Sequence, residues 1–236
     1  MSKLVLVLGI LAGSSAQALS PLPRLIEAKI LDRKTSELLF QYERREVYSN
    51  GPQSEVVRTF RSPEGGLAVE ERVQYLKDRS QKFELKHQQI GADGFYEVRG
   101  DKVFFSYTEN GKTRTAEERY TDEFIGTDEV ILRIRQNWDA LLGGKELRFR
   151  LAVLPRRETI GFKVYRVDDT LRDGQKLVTL KMKPTSFLIA ALVNPLYFYA
   201  EPFGEYRILE VDGRVTPMRK VGSKFKDLDA LLRVTW

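Results

Sequence analysis

The stretch Thr127 to Val153, TDEVILRIRQNWDALLGGKELRFRLAV, decides how this chain reads. It offers a helix, a glycine stop and a strand in succession. Thr127 suits an N-cap, because its hydroxyl can accept from a backbone N–H of the first turn. Asp128 and Glu129 then set negative charge at the positive end of the helix dipole. Val130, Ile131, Ile134, Trp138, Leu141 and Leu142 recur at spacings of three and four and make one apolar face. Arg133, Arg135, Gln136 and Asp139 fall largely on the other side. Gly143 and Gly144 stop the helix, since glycine reaches the left-handed cap conformation at little cost. From Leu147 the period becomes two: Leu147, Phe149, Leu151 and Val153 alternate with Arg148, Arg150 and Ala152.

Strand-like segments lie on both sides of that helix. Before it, residues 25–31, 37–48, 54–61, 67–76, 82–90, 95–99, 102–108 and 112–119 read as strands. Asn50-Gly51-Pro52, the run from Ser62 to Gly66, Gly91-Ala92-Asp93-Gly94, Gly100-Asp101 and Asn110-Gly111 supply the turns, the last being a strong hairpin signal. After it, residues 147–153, 158–167, 176–183 and 196–199 continue the pattern. Asp212-Gly213 is expected to turn a hairpin between 206–211 and 214–218, and 226–236 is open between strand and short helix. Ser186 is placed to cap a short helix over 187–194, closed by Pro195. No solenoid repeat, Ser-rich linker or composition break divides the chain. The expected architecture is mainly β (α+β): a large curved antiparallel sheet or half-barrel wrapped around one central amphipathic helix.

Composition sets further bounds. A chain of 236 residues buries roughly 70% or more of its unfolded surface, so it folds without a disulfide or a metal. Lys3, the apolar run 4–11 and Ala16-Gln17-Ala18 have the form of a secretory signal peptide. Residues 1–18 are therefore expected to be cleaved, leaving 19–236 as a single β-rich domain exported to the periplasm. The alternative, an uncleaved anchor, meets the difficulty that the run is short for a membrane span. No transmembrane segment is expected after signal removal. The chain has no cysteine, so neither disulfides nor lipoprotein processing at a cysteine is available to it. Net charge is +6 with charged residues interspersed. That bias favours anionic partners such as phospholipid headgroups or acidic glycans. Nucleic acid is not expected as a partner, since aromatic-plus-basic stacking motifs are not evident.

Few chemistries find their residues here. His87 is the sole histidine and sits in an ordinary charged strand context, so no Ser-His-Asp or Cys-His set is expected. One histidine and no cysteine argue against zinc, haem or copper sites. No Asp-x-Asp-x-Asp-Gly loop or P-loop appears. No catalytic residues, metal ligands or cofactors are therefore assigned. Asp122, Glu123, Asp128 and Glu129 cluster before the helix and could serve glycoside hydrolysis as paired carboxylates. Helix capping is the preferred account of them. The most unusual stretch is 184–203, PTSFLIAALVNPLYFYAEPF, which carries no charge from Phe187 to Ala200. It reads first as core, a short buried helix and a buried strand. The alternative is an apolar lid or mouth contacting a lipid, an acyl chain or a partner protein. Tyr197 and Tyr199 would share one strand face and Phe198 the other, which keeps that alternative open.

The run from Ile134 to Gly144, with Leu147 to Val153, Arg156 to Phe162, Met182 to Ser186 and Leu192 to Leu196, resembles a pattern in uncharacterised exported bacterial β-rich proteins. In these, a helix ending in Trp-Asp-x-Leu plus glycine precedes an alternating strand and a basic turn. At fold level the expected architecture is similar to the LolA/LolB-type periplasmic lipoprotein carriers. The resemblance implies no catalytic residues. The leading expectation is a non-enzymatic periplasmic binding protein for an apolar or amphipathic ligand, a lipid or lipidated protein. Ile134, Trp138, Phe149, Leu151, Phe187, Leu192, Tyr197 and Tyr199 are its candidate contacts. The alternative is a structural or interaction protein of the cell envelope, with an envelope protein as partner, a filled core and no small-molecule ligand.

Overall fold

The computed structural model describes residues 21–172 and 174–236; the expected signal peptide, 1–18, lies outside them. The N-terminal half is a run of eight antiparallel strands: β1 (Leu25–Leu31), β2 (Leu38–Asn50), β3 (Gln53–Arg61), β4 (Leu67–Leu76), β5 (Arg79–His87), β6 (Ala92–Arg99), β7 (Lys102–Glu109) and β8 (Lys112–Arg119). A short β9 (Phe124–Ile125) leads into helices α1 (Glu129–Gln136) and α2 (Trp138–Leu142). The chain returns through β10 (Leu147–Val153), β11 (Glu158–Arg166), β12 (Thr170–Arg172) and β13 (Gln175–Pro184). It ends with the one-turn helix α3 (Phe187–Ala190), then β14 (Leu196–Ala200), β15 (Ile208–Val221) and β16 (Lys224–Thr235).

These strands make one large curved sheet, in the order β8-β7-β6-β5-β4-β3-β2-β1-β16-β15-β14-β13-β11-β10-β9, with β12 attached to β13. Two meanders are thus stitched where β1 pairs with β16. The sheet does not close by a hydrogen-bonded ladder. Its ends approach instead through Glu118 on β8, whose carboxylate accepts from the Thr159 backbone N–H at 3.0 Å and hydroxyl at 2.6 Å on β11. Alternation within strands is what buries one face: β7 places Val103, Phe105 and Tyr107 inward while its intervening residues are less buried. Asn110 and Gly111 take φ of 52° and 70°, the two left-handed positions that a tight hairpin between twisted strands requires.

Several local expectations are corrected. The helix from Thr127 is two short helices broken at Asn137, whose side-chain amide donates to the Arg133 carbonyl at 2.9 Å. Its stop is as read, with Gly144 left-handed at φ 81°. Asp212-Gly213 is no turn. β15 runs through it, and the hairpin lies between Val221 and Lys224. Glycine is needed there because a Cβ at 213 would lie 2.6 Å from Leu196 Cγ on neighbouring β14. Gly94 likewise lies within β6, where a Cβ would lie 2.5 Å from the Ser106 carbonyl oxygen. The C-terminal segment, open in sequence between strand and short helix, is the strand β16.

The interior divides into two apolar clusters. One fills the curve of the first meander with Val69, Val73, Phe83, Tyr96, Phe105 and Phe124. The other joins Val130, Ile134, Trp138 and Leu141 of the helices to β10, β11, β13, β14 and β15. The β15–β16 register shifts between Val215 and Arg219, around Pro217, which has no N–H to give a ladder. There the Gln89 side chain stands in for a strand partner, accepting from the Met218 N–H at 2.8 Å and donating to its carbonyl at 2.9 Å.

Candidate functional site

The carboxylates expected to cap the helix do something else. Thr127 makes no cap; its hydroxyl accepts from the Arg58 guanidinium at 2.8 Å. Asp128 is buried, and the Arg44 guanidinium donates to it through Nε at 3.1 Å and Nη2 at 3.0 Å. Tyr75 donates its hydroxyl to Asp128 at 2.7 Å, and Arg58 stands at 3.5 Å. Arg58 also pairs with Glu71, which accepts from the Thr216 hydroxyl at 3.1 Å. Glu129 has no exposed surface at all. Its oxygens accept from the Ser80 N–H at 3.2 Å, the Ser80 hydroxyl at 2.9 Å and the Gly126 N–H at 2.5 Å. Ser80 in turn shares a 2.8 Å hydrogen bond with the Tyr96 hydroxyl.

The fold explains how charges come to be inside. Arg44 lies in phase with Phe40 and Tyr42 on β2, and Arg58 with Val56 and Phe60 on β3. Glu71 lies in phase with Val69, Val73 and Tyr75 on β4. All point into the curve, and the loop 126–129 drops between them. Ions held inside a protein must be paired and hydrogen-bonded to offset lost hydration. Burial pushes the Asp128 carboxyl up, but Arg44 and Arg58 outweigh it and hold the group below its ordinary range. Burial pushes Glu129 up, against the Gly126 and Ser80 donors, and there burial wins. Tyr42, Tyr75 and Tyr96 are all raised, chiefly by burial. Two neighbouring carboxyls shifted in opposite senses are what an acid–base pair requires. Here, however, each is wrapped in protein donors. Asp122 and Glu123, the other two carboxylates of the cluster, are exposed.

His87 is buried in the sheet, with Nε2–H donating to the Thr216 carbonyl at 3.1 Å, and burial lowers its pKa. Arg135, expected on the solvent side of the helix, is buried as well. Among the described residues no cluster of three or more His, Cys, Asp or Glu forms a metal-ion site, and no helix is long and apolar enough to cross a membrane.

The eight candidate ligand contacts separate into groups. Ile134, Trp138, Phe149 and Leu151 are brought together, packed within the second apolar cluster. Trp138 stacks on Tyr206 with ring centroids 5.0 Å apart and interplanar angle 18°. Its indole nitrogen finds no hydrogen-bond partner among the described residues. Tyr199 is buried and Tyr197 half-buried. Phe187 and Leu192 are 85% and 84% exposed, and Leu188 between them is 76% exposed. The reading of 187–192 as core is therefore corrected; within 187–200 only Phe198 to Ala200 are buried. Two surface recesses, of about 610 and 640 Å³, are lined elsewhere, by Glu70, Arg72 and His87 among others and by Lys176, Phe203 and Arg207 among others.

Comparison with known proteins adds a fold-level likeness. No protein-family model and no curated protein matches the chain. Among solved structures it is similar to a β-barrel-like protein of domain of unknown function DUF1849 from Brucella abortus, at 9% identity and a TM-score of 0.42. That alignment covers 89% of this chain and 92% of the other. An overlap this loose carries no residue across.

Of the exposed large apolar side chains, which include Phe203 and Leu171, three fall on one rim at the end of β13. Thr185 N–H donates to the Gly161 carbonyl at 2.9 Å, and Ile189 packs against the second apolar cluster. With Ile189 as the tether, Phe187, Leu188 and Leu192 face outward. Sequence reading missed the buried ion network, whose signal was a charge in phase with apolar neighbours on three successive strands. It also gave second place to the exposed reading of 187–192.

Proposed function

We propose that this is a non-enzymatic binding protein, exported to the periplasm, that meets an apolar or amphipathic partner at its surface rather than between helix and sheet. The observation that carries this reading is the uncharged rim segment with Phe187, Leu188 and Leu192 exposed. Leaving such side chains in water forgoes about 1.5–3 kcal/mol of burial for each. A contiguous apolar protrusion of this kind marks an interaction surface. By contrast, Ile134, Trp138, Phe149 and Leu151 are occupied with one another and with Tyr206. The carboxylates that hydrolysis would need, Asp128 and Glu129, are occupied by Arg44, Tyr75, Ser80 and the Gly126 N–H. The same facts support the alternative reading of a structural or interaction protein of the cell envelope, with a filled core, no small-molecule ligand and an envelope protein met at the rim.

The test is a triple variant, Phe187→Ser, Leu188→Ser, Leu192→Ser. Its stability is expected to stay within about 0.5 kcal/mol of the parent, since exposed side chains contribute little to folding. Its retention on a hydrophobic-interaction matrix is expected to fall sharply. Equal retention of parent and variant would remove the reading.

A further inference from the structure

The rim is not only apolar. Arg148 on β10, Lys163 on β11 and Lys183 on β13 stand in one cross-strand row, Arg148 opposite Lys163 and Lys163 opposite Lys183. Lys183 immediately precedes the segment Pro184 to Ser186 that leads into α3. Lys181, two residues back on the same face of β13, lies opposite Tyr165 on one side and Tyr197 on the other. Lys163 and Lys183 lie over the Tyr165 ring at 5.3 and 5.8 Å, and Lys181 over the Tyr197 ring at 5.4 Å. One carboxylate, Glu146, serves both Arg148 and Lys163. Lys181 and Lys183 have no carboxylate partner among the described residues. Four cations, two of them paired to Glu146, are thus interleaved with two half-buried tyrosines beside an exposed Phe-Leu-Leu protrusion, whose far end is held by Asn194 donating to Asp229 at 2.8 Å.

From this juxtaposition we infer that the rim docks on the surface of an anionic lipid bilayer. Phe187, Leu188 and Leu192 enter the boundary between headgroups and acyl chains. Arg148, Lys163, Lys181 and Lys183 lie against lipid phosphates, with Tyr165 and Tyr197 at headgroup level. The division of labour follows the physics of interfacial binding. Apolar side chains supply burial and cations supply attraction to anionic headgroups. Aromatic rings with a polar tip favour the interface. Charge complementarity selects this occupant over an uncharged apolar partner, since two lysines stand unneutralised beside an uncharged protrusion. This inference rests on the surface-docking reading above and names its partner.

The experiment is co-sedimentation of the full protein with vesicles of phosphatidylcholine alone and with one-third phosphatidylglycerol. It is run on the parent, the triple serine variant, and a Lys181→Glu, Lys183→Glu variant, each first shown to have parental circular dichroism. Binding to anionic vesicles is expected, weakening at least tenfold in either variant and with added salt. Binding to both vesicle types alike, unmoved by the lysine reversals, would overturn the anionic-lipid assignment and leave an apolar docking surface. Absence of vesicle binding, with self-association of the parent that the serine variant loses, would overturn it in favour of a second copy. Parent and serine variant alike in every assay would sink the inference and the reading beneath it together.

Discussion

At residue scale the molecule turns on a few charges placed where apolar side chains are expected. Asp128 has two guanidiniums and a phenol aimed at it in the interior of the first meander. Replacing it with alanine strands Arg44, while Arg58 keeps Glu71 and Thr127, and is expected to cost about 3–5 kcal/mol in denaturant unfolding, as breaking a buried pair does. Its folded pKa is held below the ordinary 3.8, so its stabilisation is complete above that value and is lost as pH falls through the folded pKa. Glu129 runs the other way: its folded pKa lies above 4.5, so its contribution declines as pH rises through that window. Stability measured against pH should therefore show a smaller acid loss, below about 3.8, in Asp128→Asn, with Asp32 and Asp229, also held below their ordinary range, keeping the rest. The decline above about 4.5 should flatten in Glu129→Gln. The opposite assignment of the two limbs would refute this account of the network. Gly126→Ala should destabilise by about 1–3 kcal/mol, because its Cβ would collide with the Tyr96 hydroxyl and meet Ser80 Oγ at 2.8 Å. These roles were half legible. Arg44, Arg58 and Glu71 each sit in register with buried neighbours, a pattern a period-two reading contains. Arg58 and Glu71 face each other directly across β3 and β4, but that Arg44 and Arg58 would also meet Asp128 depended on a loop 84 and 70 residues away, and no local rule carries that distance.

At the scale of elements, strands and most turns followed from alternation and from glycine with asparagine, because both act within a few residues. The errors came from tertiary context. Gly213 and Gly94 look like turn glycines but are there because Leu196 and the Ser106 carbonyl approach too closely for a side chain. The helix from Thr127 kept its apolar face yet broke at Asn137. Trp138, fully inside and stacked on Tyr206, ties its second half to the sheet. Trp138→Ala is expected to cost about 3–5 kcal/mol, read from urea unfolding. Helix α3 shows the limit of reading hydrophobicity as burial. Only Ile189 of its large side chains packs inward, and nothing in the composition of 187–192 distinguishes it from Phe187 or Leu188.

At the scale of the whole molecule, the two meanders share one strand-to-strand seam, supplemented by side-chain links such as Glu118 to Thr159 and Gln89 to Met218. β16 pairs with β1 on one side and β15 on the other, so among the described residues it carries the one hydrogen-bonded strand ladder between the two meanders. Truncation after Gly222 is expected to abolish cooperative thermal unfolding, whereas serine at 187, 188 and 192 should leave it intact. A mainly β, curved sheet was legible from turn spacing; its stitching of first strand to last was not, because register between distant strands leaves no short-range mark. We propose that contact is made at the rim, by Phe187, Leu188 and Leu192, and not across the molecule's other apolar exposures. Because the chain has no cysteine, one introduced thiol gives an unambiguous reporter. The deciding measurement places an environment-sensitive fluorophore on Leu188→Cys and, separately, on Leu171→Cys, whose side chain is 73% exposed on β12. With vesicles containing phosphatidylglycerol, a blue shift at 188 and none at 171 is predicted. A shift at 171 alone, equal shifts at both, or none at 188 would contradict the account.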